Sequence, residues 1–153
     1  MKFEGIYTPI VTPYDDNHDI NYDAIEAIVD DLINSGVHGL IVAGTTGEYY
    51  SQEKDERLQL MKTCKEIIGN RLPFVVGTGA IRTEDSVFFA EQAAKVGADA
   101  ILVSTSPYAL PTERENALHA LAIDRAANLP IMLYNYPGRT GAMMGAEYLD
   151  RVG

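Results

Sequence analysis

Gly39-Leu40-Ile41-Val42-Ala43-Gly44-Thr45-Thr46-Gly47-Glu48 starts as an unbroken apolar run and ends in a turn of small, hydroxyl-bearing residues. A strand with one wet face alternates apolar and polar side chains. Residues 39–43 do not alternate, which predicts a strand covered on both faces, as in parallel α/β sheets. The turn that follows leads into a helical pattern, so the stretch reads as one strand-loop-helix unit.

The same unit recurs on either side. Toward the N-terminus, Ile6-Tyr7-Thr8-Pro9-Ile10-Val11 predicts a strand in which Pro9 needs a bulge or an unpaired position. A helix follows, with Asn21 as N-cap, Ile25, Ile28, Val29, Leu32 and Ile33 on one face, and Gly36 at the C-terminal cap. Toward the C-terminus the spacing predicts a helix from Gln52 to Ile68 capped by Ser51, then a strand at Phe74-Val75-Val76. Next come a helix capped by Thr83 and ending near Gly97, and a strand from Ala98 to Val103. Thr112-Glu113-Arg114-Glu115 reads as a capping box, Ile131-Met132-Leu133-Tyr134 as a fifth strand, and a last helix starts near Ala146. The units repeat at about 30 residues, the span of a βαβ crossover.

Two architectures accommodate this order: a five-stranded doubly wound sheet, or the first part of a (β/α)8 barrel. In the former, ligand chemistry gathers at one switch point; in the latter, every loop after a strand faces a common site. Here four consecutive strands end in small, polar segments: Gly44–Glu48, Gly77-Thr78-Gly79, Ser104–Tyr108 and Tyr134–Gly141. The expected fold is therefore α/β, a (β/α)8 TIM barrel of which this chain carries strands 1–5 and helices 1–4. A barrel takes about 250 residues. The 153 present are expected to be the N-terminal part of a single barrel domain, 1–153, with strand 6 and the remainder absent.

Composition narrows the function classes. A net charge of -10, from 12 basic against 22 acidic residues, disfavours a nucleic-acid partner, because no basic stripe offsets it. Arg57, Lys62, Lys65 and Arg71 are interspersed with Glu53, Asp55, Glu56 and Glu66 and read as a mixed, solvated face. With one cysteine there is no internal disulfide, and Cys64 falls at helical spacing among Leu58, Met61 and Ile68, as a small core residue does. No apolar run spans a membrane and no signal-peptide core is present, so a cytoplasmic protein is expected. His18, His38 and His119 lack the spacing of a metal site.

The loops supply candidate chemistry. Thr45 and Thr46 offer hydroxyls and backbone N–H groups to a carboxylate, though Gly-Thr pairs also form plain turns. Arg139 suits a bidentate anion clamp, or else a solvated position. Tyr134, closing an apolar strand, presents a phenol at the mouth of the fold. As a proton carrier it needs a relay such as Thr45; a buried phenol with a satisfied hydroxyl is the competing reading.

Together, Gly44-Thr45-Thr46-Gly47-Glu48, Ser106-Pro107-Tyr108, Tyr134-Asn135-Tyr136-Pro137-Gly138-Arg139-Thr140-Gly141 and the opening Gly5–Pro13 resemble the dihydrodipicolinate synthase / N-acetylneuraminate lyase family. The resemblance runs the length of the chain. It implies class I aldolase chemistry, in which pyruvate or another 2-oxo acid forms a Schiff base with a lysine and meets an aldehyde, within a homotetramer. It implies that Thr45 and Thr46 bind the 2-oxo-acid carboxylate, that Thr45 relays protons, and that Tyr134 gives and takes a proton over the Schiff base. Arg139 would receive the aldehyde's carboxylate, and Tyr108 joins the substrate-binding set. No cofactor or metal is implied.

Two departures stand out. The synthase pattern Pro-Tyr-Tyr is Pro107-Tyr108-Ala109 here, which leaves a 2-keto-3-deoxy sugar-acid aldolase or dehydratase of the same family as an alternative. The family's Schiff-base lysine lies on strand six; Lys2, Lys54, Lys62, Lys65 and Lys95 sit elsewhere, so the chain alone is expected to be inactive. The remote alternative is a receiver-like signalling domain, with Asp15, Asp16 and Thr105 as its pocket.

Overall fold

The structure, a computed structural model, describes residues 2–153. Five strands, β1 (Tyr7–Pro9), β2 (Gly39–Val42), β3 (Phe74–Gly77), β4 (Ala100–Ser104) and β5 (Ile131–Tyr134), form one sheet in the order β1-β2-β3-β4-β5, all pairs parallel. That order decides between the two architectures. Doubly wound sheets reverse direction at a switch point. Here each strand adds beside its predecessor, as a barrel wall does. The receiver-like alternative requires the reversed order and is overturned.

The helices α1 (Tyr22–Asn34), α2 (Lys54–Ile68), α3 (Thr83–Lys95) and α4 (Glu113–Ala127) follow β1 to β4 in turn, with two shorter ones, α5 (Pro137–Thr140) and α6 (Ala146–Val152), after β5. The main core lies between helices and sheet, where Val29, Leu40, Leu60, Met61, Cys64, Phe74, Val76, Ala93, Ile101 and Ile123 lose nearly all contact with solvent. Cys64 sits in this layer, and burial pushes its thiol up to about 12, so it stays protonated and unreactive. A smaller cluster, Ile41, Val75 and Ala100 with Tyr7, Leu102 and Met132, covers the opposite face. β2 and β3 are buried along their whole length, whereas β1 and β5 keep partly open faces.

Pro9 pairs in register with Ile41, while the neighbouring Ile10 donates its N–H to the Ile41 carbonyl at 3.0 Å. Successive residues of a parallel strand direct their backbone hydrogen bonds to opposite neighbours. The missing N–H of Pro9 therefore falls on the side away from β2, where it costs no ladder bond.

Asn21 caps α1 by accepting the Ala24 N–H at 3.2 Å, and Thr112 caps α4, its backbone N–H meeting Glu115 Oε2 at 2.9 Å. The other two predicted caps require correction. Ser51 closes a short 3-10 turn, Tyr49–Ser51, so α2 begins later, with Glu53 as cap and its N–H donating to Glu56 Oε2 at 2.8 Å. Thr83 is the first residue of α3, not its cap. Its hydroxyl is drawn to His119 Nδ1 on α4, 2.9 Å away.

His119 is buried, and desolvation holds it below the ordinary 6.5 against a weaker, opposing hydrogen bond to the Ser104 backbone. Below about 6.5 the unfolded chain takes up a proton more readily than the folded one, so stability is complete above that pH and falls under it. Urea unfolding of the wild type is expected to show a decline between pH 7 and 5 that His119→Gln flattens. Equal slopes in both proteins would contradict this.

Candidate functional site

The loop after β2 is held from behind. The Gly47 carbonyl accepts the Thr12 hydroxyl at 2.7 Å and the Gln52 side-chain amide at 2.8 Å, and that amide also reaches Thr12 Oγ1 at 3.1 Å. A Cβ on Gly47 would stand 3.0 Å from the Ile10 carbonyl, so a side chain there would press on the backbone of the preceding strand's end. Gly47 N–H to Gly44 O and Glu48 N–H to Thr45 O, both 3.1 Å, shape the turn. Thr45 is left half-buried and Thr46 exposed at the C-terminal end of the sheet.

The loop after β5 is built differently. The Tyr136 carbonyl accepts the N–H groups of Arg139 at 2.9 Å and Thr140 at 3.0 Å, winding Pro137–Thr140 into one helical turn. Pro137 suits the first position of such a turn, where no N–H is needed. Asn135 then ties the far end, its amide oxygen accepting the Met144 N–H at 3.1 Å.

β2 and β5 are three strands apart. In a flat sheet that is about 14 Å, at roughly 4.8 Å per strand. Yet Thr45, Thr46, Glu48 and Tyr50 line one cavity of about 310 Å³ together with Tyr134, Tyr136 and Arg139. A neighbouring hollow of about 260 Å³ is lined by Tyr7, Ile41, Leu102 and Met132 from four strands, with Thr45, Thr46 and Tyr134 again at its edge. The sheet therefore curls, bringing the strand ends around a common centre.

Four of the five residues singled out from sequence, Thr45, Thr46, Tyr134 and Arg139, meet in the 310 Å³ cavity. Tyr108 does not. It is 92% exposed, in the left-handed region at φ 71°, and lines a separate cleft with Tyr49, Lys54, Asp85 and Pro107. Two lining residues carry no sequence assignment to this cavity, Glu48 and Tyr136, whereas Tyr50, readable from sequence as lining either the site or an oligomer contact, lines it. For Tyr136 the available signal was its place two residues beyond Tyr134 in a loop already rich in candidate groups. No group of three or more His, Cys, Asp or Glu that could hold a metal occurs among the described residues.

Arg57 also departs from its sequence reading. It is 2% exposed, not part of a solvated face. Its guanidinium donates to the carbonyls of Gly79 at 2.8 Å and Gly77 at 2.6 Å, and lies 3.8 Å from the Phe89 ring centre. Burial lowers it to about 10, so it keeps its charge at neutral pH, stabilised by carbonyl dipoles and an aromatic face. It fixes the loop after β3 and, 5.0 Å from the ring centre of Tyr49, the segment leading out of the β2 loop.

None of the five lysines reaches the cavity. Lys2 pairs with Glu4, Lys54 with Asp85 at 3.1 Å, Lys65 with the Gly69 carbonyl at 3.2 Å, and Lys62 and Lys95 are exposed on helices.

A curled parallel sheet with helices outside and polar loops gathered at the strand C-termini defines an enzyme-type (β/α) half-barrel. The chain belongs to the Dihydrodipicolinate synthetase family, whose profile matches residues 2–152. It is 37% identical over 143 residues to the 4-hydroxy-tetrahydrodipicolinate synthase of Lactobacillus acidophilus, covering 93% of this chain and 46% of that protein. It is 36% identical over 153 residues to the Bacillus subtilis synthase, covering 99% and 52%. The fold superposes with a TM-score of 0.94 on the synthase of Methylacidiphilum fumariolicum SolV, 30% identical, covering 99% of this chain and 50% of that one. With the Thermotoga maritima dihydrodipicolinate synthase the TM-score is 0.90 at 37% identity, covering 98% and 50%. The chain spans about half the length of the relatives it matches.

Proposed function

We propose that this chain forms the substrate-binding half of a class I aldolase or lyase that joins pyruvate, or a related 2-oxo acid, to an aldehyde, as a 4-hydroxy-tetrahydrodipicolinate synthase does. The observation that carries the reading is the single cavity shared by Thr45, Thr46, Tyr134 and Arg139. Thr45 and Thr46 bring hydroxyl donors suited to the carboxylate of the 2-oxo acid. The chemistry is a carbonyl condensing with an amine to an iminium with loss of water. Loss of a proton from C3 gives an enamine, which adds to the aldehyde carbonyl while the new alkoxide takes a proton.

Tyr134, with Thr45 as relay, carries those protons. Arg139 receives an anionic group on the aldehyde. The amine comes from a lysine outside residues 1–153, so this chain alone does not turn over substrate. The whole enzyme is a cytoplasmic homotetramer with no cofactor. Ala109, in place of the second tyrosine of the synthase pattern, favours testing sugar-acid substrates beside pyruvate.

Borohydride reduction in the presence of pyruvate tests this. The 153-residue chain is expected to gain no mass, whereas a chimera joining residues 1–153 to the second half of the Bacillus subtilis relative forms a reduced adduct. An adduct on the chain alone, or none on a folded chimera beside a reacting Bacillus subtilis control, overturns it.

A further inference from the structure

We propose that Tyr136 is a positioning residue that sets where Arg139 presents its charge, and so fixes which aldehydes fit beside the 2-oxo acid; this rests on the reading of the cavity just given. An exposed arginine holds roughly 2 kcal/mol of side-chain rotamer freedom, and a clamp that samples many positions discriminates poorly. Arg139 forms no ion pair among the described residues. What restrains it is the Tyr136 ring, whose centre is 5.8 Å from its Cζ.

The same ring meets Tyr134 edge-on, with centres 6.2 Å apart and planes at 70°. Both contacts belong to one residue whose backbone is pinned by the turn it starts: its carbonyl accepts the N–H groups of Arg139 and Thr140 and, at 3.2 Å, the Thr140 hydroxyl. A Cβ on Gly138 would stand 3.5 Å from the edge of the ring, an ordinary van der Waals distance, so the ring lies beside the turn. Tyr136 thus spans the two groups assigned to opposite ends of the reaction, the proton carrier at the 2-oxo acid and the anion clamp at the aldehyde. It leaves the Arg139 N–H groups free for a ligand, because it engages the guanidinium through its π face. The aldehydes admitted beside the 2-oxo acid are then those whose anionic end reaches Arg139 where Tyr136 holds it.

The test reads Arg139 directly. In the 153-residue chain the Arg139 Nε–H resonance is expected to carry a ring-current shift that Tyr136→Phe keeps and Tyr136→Leu removes. Titration with succinic semialdehyde is expected to weaken about fivefold in Tyr136→Leu, the upper scale of an exposed cation–π contact, and to stay unchanged in Tyr136→Phe. Pyruvate binding stays within twofold in both variants. An unmoved Arg139 resonance, or equal weakening of both probes by Tyr136→Leu, overturns the proposal. If the wild type takes up neither probe, the functional reading fails, and the Arg139 resonance still decides the positioning role.

Discussion

Tyr134→Phe, introduced into the chimera, is expected to lower the rate of pyruvate condensation by about 10²–10⁴-fold, the usual contribution of a placed general acid–base group. The substitution removes one oxygen and keeps the ring, so the edge-on packing against Tyr136 survives and folding is unaffected. Iminium formation is expected to persist, because the lysine supplies that bond; borohydride trapping should still label the variant, though more slowly. The pair of readouts separates the proton carrier from the binding pocket. A variant that condenses within tenfold of the parent would remove Tyr134 from the mechanism. Loss of trapping and turnover together, with the fold intact, would recast it as a residue that binds the 2-oxo acid.

Arg57→Ala is expected to cost about 3 kcal/mol of stability. Two carbonyls, those of Gly77 and Gly79, lose charged donors, each worth roughly 1–3 kcal/mol when buried. A cavity opens beside Phe89 and adds to the loss. Against this, the folded state no longer bears a buried cation without an anionic partner, which is why the net falls short of the gross sum. Arg57→Lys should recover only part of the loss, since one ammonium does not reproduce a planar fork serving two acceptors. Urea midpoints of the three proteins provide the measurement. A deficit under 1 kcal/mol for the alanine variant would mean that the loop after β3 holds itself.

The contrast between Arg57 and Arg139 shows where sequence stops being informative. Both are arginines in polar company. The unalternated strands, the spacing of Ile25 to Ile33 and the Thr112 capping box made the barrel order readable, because those signals act within a few residues. The hydroxyls of Ser51 and Thr83 looked like caps by the same local logic, yet one ends in a 3-10 turn and the other bonds a histidine 36 residues away. Arg57 looked solvated because its neighbours in sequence are acidic. Its partners are carbonyls 20 and 22 residues on, which no helical wheel displays.

The site divides likewise. Thr45, Thr46, Tyr134 and Arg139 were legible as groups of the right chemistry, and only the curl of the sheet brings them into one cavity. Tyr108 had equal standing in sequence. A left-handed backbone turns it toward a different cleft.

The uninterrupted order β1-β2-β3-β4-β5 has a consequence for how the chain is made. Each new strand needs only the strand already synthesised before it as a template, so the fold can be laid down from one end while the ribosome is still at work. At about 5–20 residues per second, some 8–30 s separate the first residue from the last. Thr45 and Thr46 are then seated well before Tyr134 emerges. A nascent chain paused after β3 already holds half of its pocket, and chaperones would meet a growing edge of sheet rather than a disordered coil.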